Sequence, residues 1–313
     1  MKLNIVDVTF RDGGYRNNFN FDDHIIAETI SYLSDAKIDF IEIGYRNGLL
    51  KKSSSIGNTA HLPDDFLSKI TAYIPGKACV MVHPDNITKD DMKILHVSGV
   101  KMVRVCIVNQ DIEKAIRVIY ELKSFDFLVT ANIIRITLLA EKDLAAIVQK
   151  LNHSEADVIY IADSNGAIVP DEIKNVFKII KANSSACLGF HAHNNLHLAL
   201  ANTITAIECG VEYIDASIQG MGKGAGNLPL EILVGFLKRN GKNSQYDYIK
   251  ILETSEYFKQ NVSHAHMSLE NKHVLMGTMN FPIDYYTHIT NLAEEKGISF
   301  YQAAHIIDSI NNQ

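Results

Sequence analysis

Eight short apolar runs, each followed by a helix-like stretch, constrain this chain more than any other feature of its sequence. The runs are Leu3 to Thr9, Asp39 to Gly44, Ala78 to His83, Met102 to Val108, Phe127 to Ile133, Val158 to Ala162, Cys187 to His193 and Tyr213 to Ile218. They are rich in Val and Ile, as parallel strands buried on both faces are. Helical patterns follow at about 22–36, 64–71, after Thr88, 111–123, 141–151, from Pro170, 196–208 and 227–238. This repetition predicts an α/β chain closed into a (β/α)8 TIM barrel. An open, doubly wound sheet is the competing arrangement of the same elements. Beyond residue 240 no strand pattern recurs, and 249–258, 285–295 and 300–310 read as helices. The expected division is a catalytic barrel over 1–240 and a small helical extension over 241–313, acting as a cap or an oligomerisation element.

Composition removes several classes of function. Acidic residues outnumber basic ones by 36 to 30 and no basic stripe appears, so nucleic acid is not an expected partner. No apolar run reaches membrane-spanning length, and the chain turns polar at Arg11-Asp12, too early for a signal peptide. Cys79, Cys106, Cys187 and Cys209 are scattered without Cys-x-x-Cys spacing. Three of them sit inside apolar runs and read as small buried hydrophobes, which fits a reducing, cytoplasmic compartment.

In a β/α barrel the chemistry gathers at the C-terminal ends of the strands. The unusual polar residues of this sequence fall there. His191 and His193 are two apart in an extended run, so their side chains share a face. They are either half of a metal site or two solvated histidines. Asp12 follows the first run, and in a closed barrel the first and seventh strands both flank the eighth. Asp12, His191 and His193 can therefore converge as one carboxylate and two imidazoles with coordination positions left open. Such a donor set suits Mn²⁺, Mg²⁺, Co²⁺ or Zn²⁺. Asp12 before Gly-Gly also fits a turn cap. Arg11 either forms a surface salt bridge or neutralises an oxyanion beside the metal. Glu42, Tyr45 and Arg46 mark the end of the second strand, and His83 the end of the third. Arg104 interrupts the apolar fourth run and is expected to point into the barrel. Asp163 and Asn165 either bond loop amides or contact substrate. Gly220-x-Gly222-x-Gly224-x-Gly226 reads as a gate over the mouth or as an anion cradle; its spacing matches neither a Walker loop nor a dinucleotide fingerprint. His264 and His266 repeat the His-x-His spacing outside any barrel run and are not expected as ligands.

Three of these segments carry a family resemblance. Asp7-Val8-Thr9-Phe10-Arg11-Asp12-Gly13 resembles the Asp-x-Thr-Leu-Arg-Asp-Gly signature of the DRE-TIM metallolyases, the HMG-CoA lyase-like family. His191-Ala192-His193-Asn194-Asn195 looks like its metal-binding His-x-His-Asn, and Gly220 to Glu231 is similar to its glycine loop. The motifs span the barrel in the family's order. Within the family, the glycine loop and Ala162 to Ala167 are most similar to the 4-hydroxy-2-oxovalerate aldolase branch. Gly13 to Asn18 and Glu42 to Arg46 look like an aldolase-like branch found among bacterial polysaccharide-biosynthesis proteins.

The resemblance implies a metal-dependent enzyme that makes or breaks a carbon–carbon bond through an enolate. It implies Asp12, His191 and His193 as ligands, with Asn227 as a fourth, and Arg11 at the enolate oxygen. Tyr15 stands where the aldolase branch has an acid–base histidine; with an ordinary pKa of about 10 it needs activation to act as a base. Glu42, Arg46, Arg104, Asp163, Gly222 and Gly224 are then the candidate substrate contacts, with Arg46 assigned to an acidic substrate group. The implied partners are a 2-oxo acid, an aldehyde and further copies of the chain. The tail only faintly resembles the region with which the aldolase docks a dehydrogenase, so that partner is not expected. The leading expectation is a divalent-metal-dependent aldolase or lyase acting on a 2-oxo acid such as pyruvate. A Claisen-type synthase joining an acyl-CoA to a 2-oxo acid, or a non-catalytic metal-binding homologue, shares the same site. A metal-free phosphate-binding barrel would instead hold phosphate in the glycine loop.

Overall fold

A computed structural model of the chain describes residues 2–107, 112–241, 245–265 and 270–311. Eight strands form a closed parallel barrel in chain order. They are β1 (Asn4–Asp7), β2 (Phe40–Arg46), β3 (Ala78–Val82), β4 (Met102–Ile107), β5 (Leu128–Ile133), β6 (Val158–Asp163), β7 (Cys187–Ala192) and β8 (Tyr213–Ala216). The helices between and after them are α1 (Asp23–Asp35), α2 (Asp64–Thr71), α3 (Lys89–Val97), α4 (Ile112–Lys123), α5 (Glu141–Leu151), α6 (Pro170–Asn183), α7 (Ala199–Glu208) and α8 (Leu230–Arg239). Closure is made by β1 against β8, in register from Asn4 with Tyr213 to Asp7 with Ala216, and this pairing rules out the open sheet. Val108 and Asp111, the expected limits of the fourth strand and the helix after it, lie outside the described residues, as does His266.

Local chemistry sets the element boundaries. β4 is buried at every position, as expected of a strand covered by helices outside and by packed side chains inside. Thr88 starts α3 through a capping box: its hydroxyl accepts from the Asp91 amide while the Asp91 carboxylate accepts from the Thr88 amide. Pro170 opens α6, where its missing N–H costs nothing.

Gly44 shapes the second strand. The β2–β3 register shifts between Glu42 and Tyr45, and Gly44 lies inside that irregularity with φ +149°. A Cβ there would come 2.1 Å from the Thr59 carbonyl oxygen, so only glycine fits. The bulge changes the phase of the strand. Two-residue alternation from Glu42 would put Arg46 inside the barrel; instead Tyr45 lines the inner cavity and Arg46 points out towards α3.

Four further helices follow: α9 (Tyr248–Asn261), α10 (Asn271–Thr278), α11 (Tyr285–Lys296) and α12 (Phe300–Asn311). Ile251 and Phe258 of α9 join the main core beneath the barrel helices. Met276, Phe281, Ile289 and Phe300 centre a separate small core among the last three helices. α10 is not marked in the sequence, because its apolar residues define one face only weakly. No helix among the described residues is long and apolar enough to cross a membrane.

Candidate active site

The mouth of the barrel holds a cavity of about 190 Å³, lined among others by Arg11, Asp12, Tyr15, Tyr45, His83, Arg104, His191, His193 and Lys223. Among the described residues, Asp12, His191 and His193 are the His, Cys, Asp or Glu group able to hold a metal ion, with ligand atoms all within 4.8 Å of one another. All three are buried. Asp12 hangs from the turn after β1, and its Oδ2 accepts from the Lys223 amide of the glycine loop and lies 3.8 Å from His193 Nε2. Burial alone would raise its pKa; Arg11, whose Nη1 is 2.6 Å from Oδ1, and the two imidazoles hold it well below the usual carboxylate range.

The hydrogen bonds of the two histidines fix their tautomers. His191 Nδ1 lies 2.9 Å from Asp215 Oδ2, and His193 Nδ1 lies 3.2 Å from the Gly226 carbonyl oxygen. Both partners can only accept, so each Nδ1 carries a proton, and in the neutral ring Nε2 is left with a lone pair. The two Nε2 atoms face each other at 3.3 Å. Burial first, and then the neighbouring His191 and Arg11, push His193 down to about pKa 4, so at neutral pH it supplies no proton to the gap. Two lone pairs and a carboxylate converging on one point repel one another unless a cation lies between them. The Oδ1 of Asn227 is a fourth buried acceptor without a donor, on a residue whose backbone bridges to His193. The donor set fits a divalent ion on these grounds.

Behind the cluster runs a buried chain of charges. Arg11 Nε donates to Glu42 Oε2 at 2.7 Å, and Arg104 donates to the same oxygen at 3.1 Å. Arg104 Nη2 then donates to Asp215 Oδ2 at 2.7 Å, the oxygen that also takes the His191 proton. Arg104 is fully buried, with its guanidinium carbon 4.4 Å from the centroid of the Tyr160 ring. Asp215 was absent from the expected site. Its signal is present in the sequence, since it is a carboxylate interrupting the apolar run Tyr213 to Ala216, as Arg104 interrupts β4. Despite burial, Arg104 and His191 hold its pKa below the ordinary range.

The structure places several of the expected contacts away from the cavity. Arg46 does not line the cavity: its Nε donates to Asp91, its Nη1 to the Leu62 carbonyl, and Asp64 pairs with it at 2.7 Å, because the bulge at Gly44 turns it outwards. Asp163 is used up on its own turn, accepting from the amides of Ala167 and Ile168; burial raises its pKa to about 6. Ser164 and Asn165, the next two residues, line the cavity instead. Glu42 is fully buried behind Arg11 and orients that guanidinium rather than facing the cavity. Gly222 packs on Asn227, where a Cβ would meet the amide nitrogen at 2.5 Å. Gly224 lies over a small adjoining recess with His193 and Ile283. Tyr15 does line the cavity. Its hydroxyl is 3.4 Å from that of Tyr45, and burial raises its pKa, the opposite of the activation a base needs.

Fold and site together define a β/α barrel with a cation-binding type of cluster at its mouth, backed by buried arginines. The HMGL-like family model matches residues 2–258, and the chain belongs to that family. It is 36% identical over 262 residues to a 4-hydroxy-2-oxovalerate aldolase of Carboxydothermus hydrogenoformans, covering 82% of this chain and 76% of that protein. A 4-hydroxy-2-oxovalerate aldolase of Moorella thermoacetica is 28% identical, with coverage of 94% and 87%. The crystal structure of the N-terminal domain of a putative aldolase from Bacteroides vulgatus superimposes with a TM-score of 0.82 at 30% identity, covering 92% of this chain and 96% of that one.

Proposed function

We propose that this protein is a divalent-metal-dependent aldolase that cleaves, or in reverse forms, the C3–C4 bond of a 4-hydroxy-2-oxo acid through a pyruvate-type enolate. The observation that carries this reading is the convergence of His191 Nε2 and His193 Nε2, 3.3 Å apart, with Asp12 in one buried cluster of ligand atoms. Asp12, His191 and His193 would hold it, with Asn227 as a fourth ligand. Mn²⁺, Mg²⁺, Co²⁺ and Zn²⁺ all accept such oxygen and nitrogen donors. When bound, the ion supplies Lewis-acid polarisation of the 2-oxo group. Arg11, fixed by Asp12 and Glu42, offers its guanidinium to the oxygen on which enolate charge develops. The Asp215–Arg104–Glu42 chain keeps His191 and Arg11 in place relative to each other. Tyr15, with its raised pKa, is suited to donating a hydrogen bond or a proton. In this reading residues 1–240 carry the chemistry, while the extension from 241 shapes the mouth through Ile283.

The test is pyruvate release from 4-hydroxy-2-oxovalerate with added Mn²⁺, measured before and after EDTA treatment and gel filtration. We expect turnover that disappears with the metal and returns with Mn²⁺. Turnover unchanged after complete metal removal overturns the reading. So does an absolute requirement for an acyl-CoA with free thiol release, which would identify a synthase. Gly222→Ala supplies a second check. The new methyl displaces the Asn227 amide, and Mn²⁺ affinity by calorimetry should fall roughly 10- to 100-fold, the usual loss when a metal site's supporting geometry is disturbed.

A further inference from the structure

A retro-aldol reaction needs a base for the substrate's hydroxyl proton, and the residues assigned so far do not supply one. Asp12 is held ionised by Arg11 and occupied by the cluster. His191 and His193 have their protonated nitrogens bonded and their free nitrogens turned to each other. Burial raises Tyr15 and Tyr45, and pushes Cys106 up to about 11. His83 remains. It lines the same cavity from just beyond β3, its Nε2 is buried, and no group bonds to it. Its ring stacks on Tyr45 at 5.5 Å and 10°, and the Arg11 guanidinium carbon lies 5.9 Å from the centroid of that same tyrosine. A buried imidazole nitrogen with no partner, one ring away from the enolate-stabilising arginine, is available to a ligand.

We infer that His83 is the base that removes the C4 hydroxyl proton of the substrate, an inference that rests on the aldolase reading above. His83 takes the proton, and the O–H pair becomes the second C–O bond of the released aldehyde. The C3–C4 pair becomes the C2=C3 bond of the enolate, and the carbonyl pair moves onto the oxygen beside Arg11. His83 then gives its proton to solvent, and solvent protonates C3 to complete the 2-oxo acid. No oxidant or co-reactant is needed. The groups facing His83 are Tyr45 and Arg11 across the stacked ring, Arg104 and Cys106 from β4 in the shared cavity, and Asp85 on its own loop. Burial, followed by Arg11, lowers the His83 pKa from its ordinary 6.5, so the ring is neutral at physiological pH. The base is then lost as pH falls through that lowered value, which places it on the acid limb of kcat/KM.

Oxaloacetate decarboxylation separates the two halves of the chemistry, because it forms the same enolate without removing a hydroxyl proton. In the Mn²⁺-loaded full chain, His83→Gln should lower retro-aldol kcat by roughly 10²- to 10⁴-fold and abolish the acid limb. Oxaloacetate decarboxylation should persist in the same preparation. Equal losses in both reactions would make His83 a structural residue and overturn the inference, as would a variant that cleaves as fast as the parent. Failure of the unmodified protein to cleave any 4-hydroxy-2-oxo acid would instead reject the aldolase reading itself, and this inference with it.

Discussion

Asp12→Asn is expected to remove cation binding and turnover together while leaving the barrel folded. Asparagine keeps the size of the side chain and can still accept from the Lys223 amide. It loses the negative charge that offsets a divalent ion, and it frees Arg11 from a partner at 2.6 Å. Disturbing an outer partner of a metal ligand costs about 10- to 100-fold. Loss of a ligand's charge, coupled to misorientation of the enolate-binding arginine, should exceed that range, taking kcat down by at least ~10³-fold. Metal content after dialysis against trace Mn²⁺ and steady-state pyruvate release check the two effects separately. An Asp12→Asn variant that binds Mn²⁺ stoichiometrically would remove Asp12 from the ligand set.

Arg104→Met should be the most damaging change outside the cluster. Arg104 is the cation between Glu42 and Asp215 in the barrel interior, with all three side chains almost wholly buried. Removing one partner of a buried ion pair leaves uncompensated charge and costs roughly 3–5 kcal/mol. For a chain of this length that is a fall in Tm of about 5–8 °C. The pH dependence follows from the carboxylates. In the parent protein Arg104 holds Asp215 below its ordinary pKa. Without that cation, burial is expected to drive the Asp215 carboxyl above its unfolded value of about 4. A carboxyl whose folded pKa is raised contributes its stability at low pH and loses it as pH rises. The Tm gap between variant and parent should therefore widen from pH 5 to pH 8 in calorimetric scans. Arg104→Lys, which keeps a charge but cannot bridge both carboxylates in one plane, should fall between the two.

Much of the fold was legible in the sequence because parallel strands covered on both faces announce themselves as uninterrupted apolar runs. The strand centres agree with the expectation, and the ends differ by up to two residues at the mouth: β8 stops at Ala216 rather than Ile218, and β1 at Asp7 rather than Thr9. The convergence of Asp12 with His191 and His193 was also readable, since strand order in a closed barrel makes the first and seventh strands near neighbours. The orientation of Arg46 was not readable. It depends on a bulge around Gly44, and the reason for that glycine is a carbonyl 15 residues further on, at Thr59. Asp163 was ambiguous for a related reason: a carboxylate at a strand end serves its own turn and a ligand equally well in one dimension, and only the amides of Ala167 and Ile168 decide between them. The significance of His83 was hidden because an empty hydrogen-bonding position is a property of the packed cavity, not of any motif.

We propose that one divalent ion sits between the opposed imidazoles and Asp12. A crystal structure of the Mn²⁺-loaded protein, with an anomalous difference map collected at the manganese edge, tests it most directly. We expect a single strong peak within about 2.0–2.3 Å of Asp12 Oδ2, His191 Nε2 and His193 Nε2. Full Mn²⁺ occupancy at another position, or a cluster that stays closed at saturating Mn²⁺ with a proton shared between the two Nε2 atoms, would contradict it.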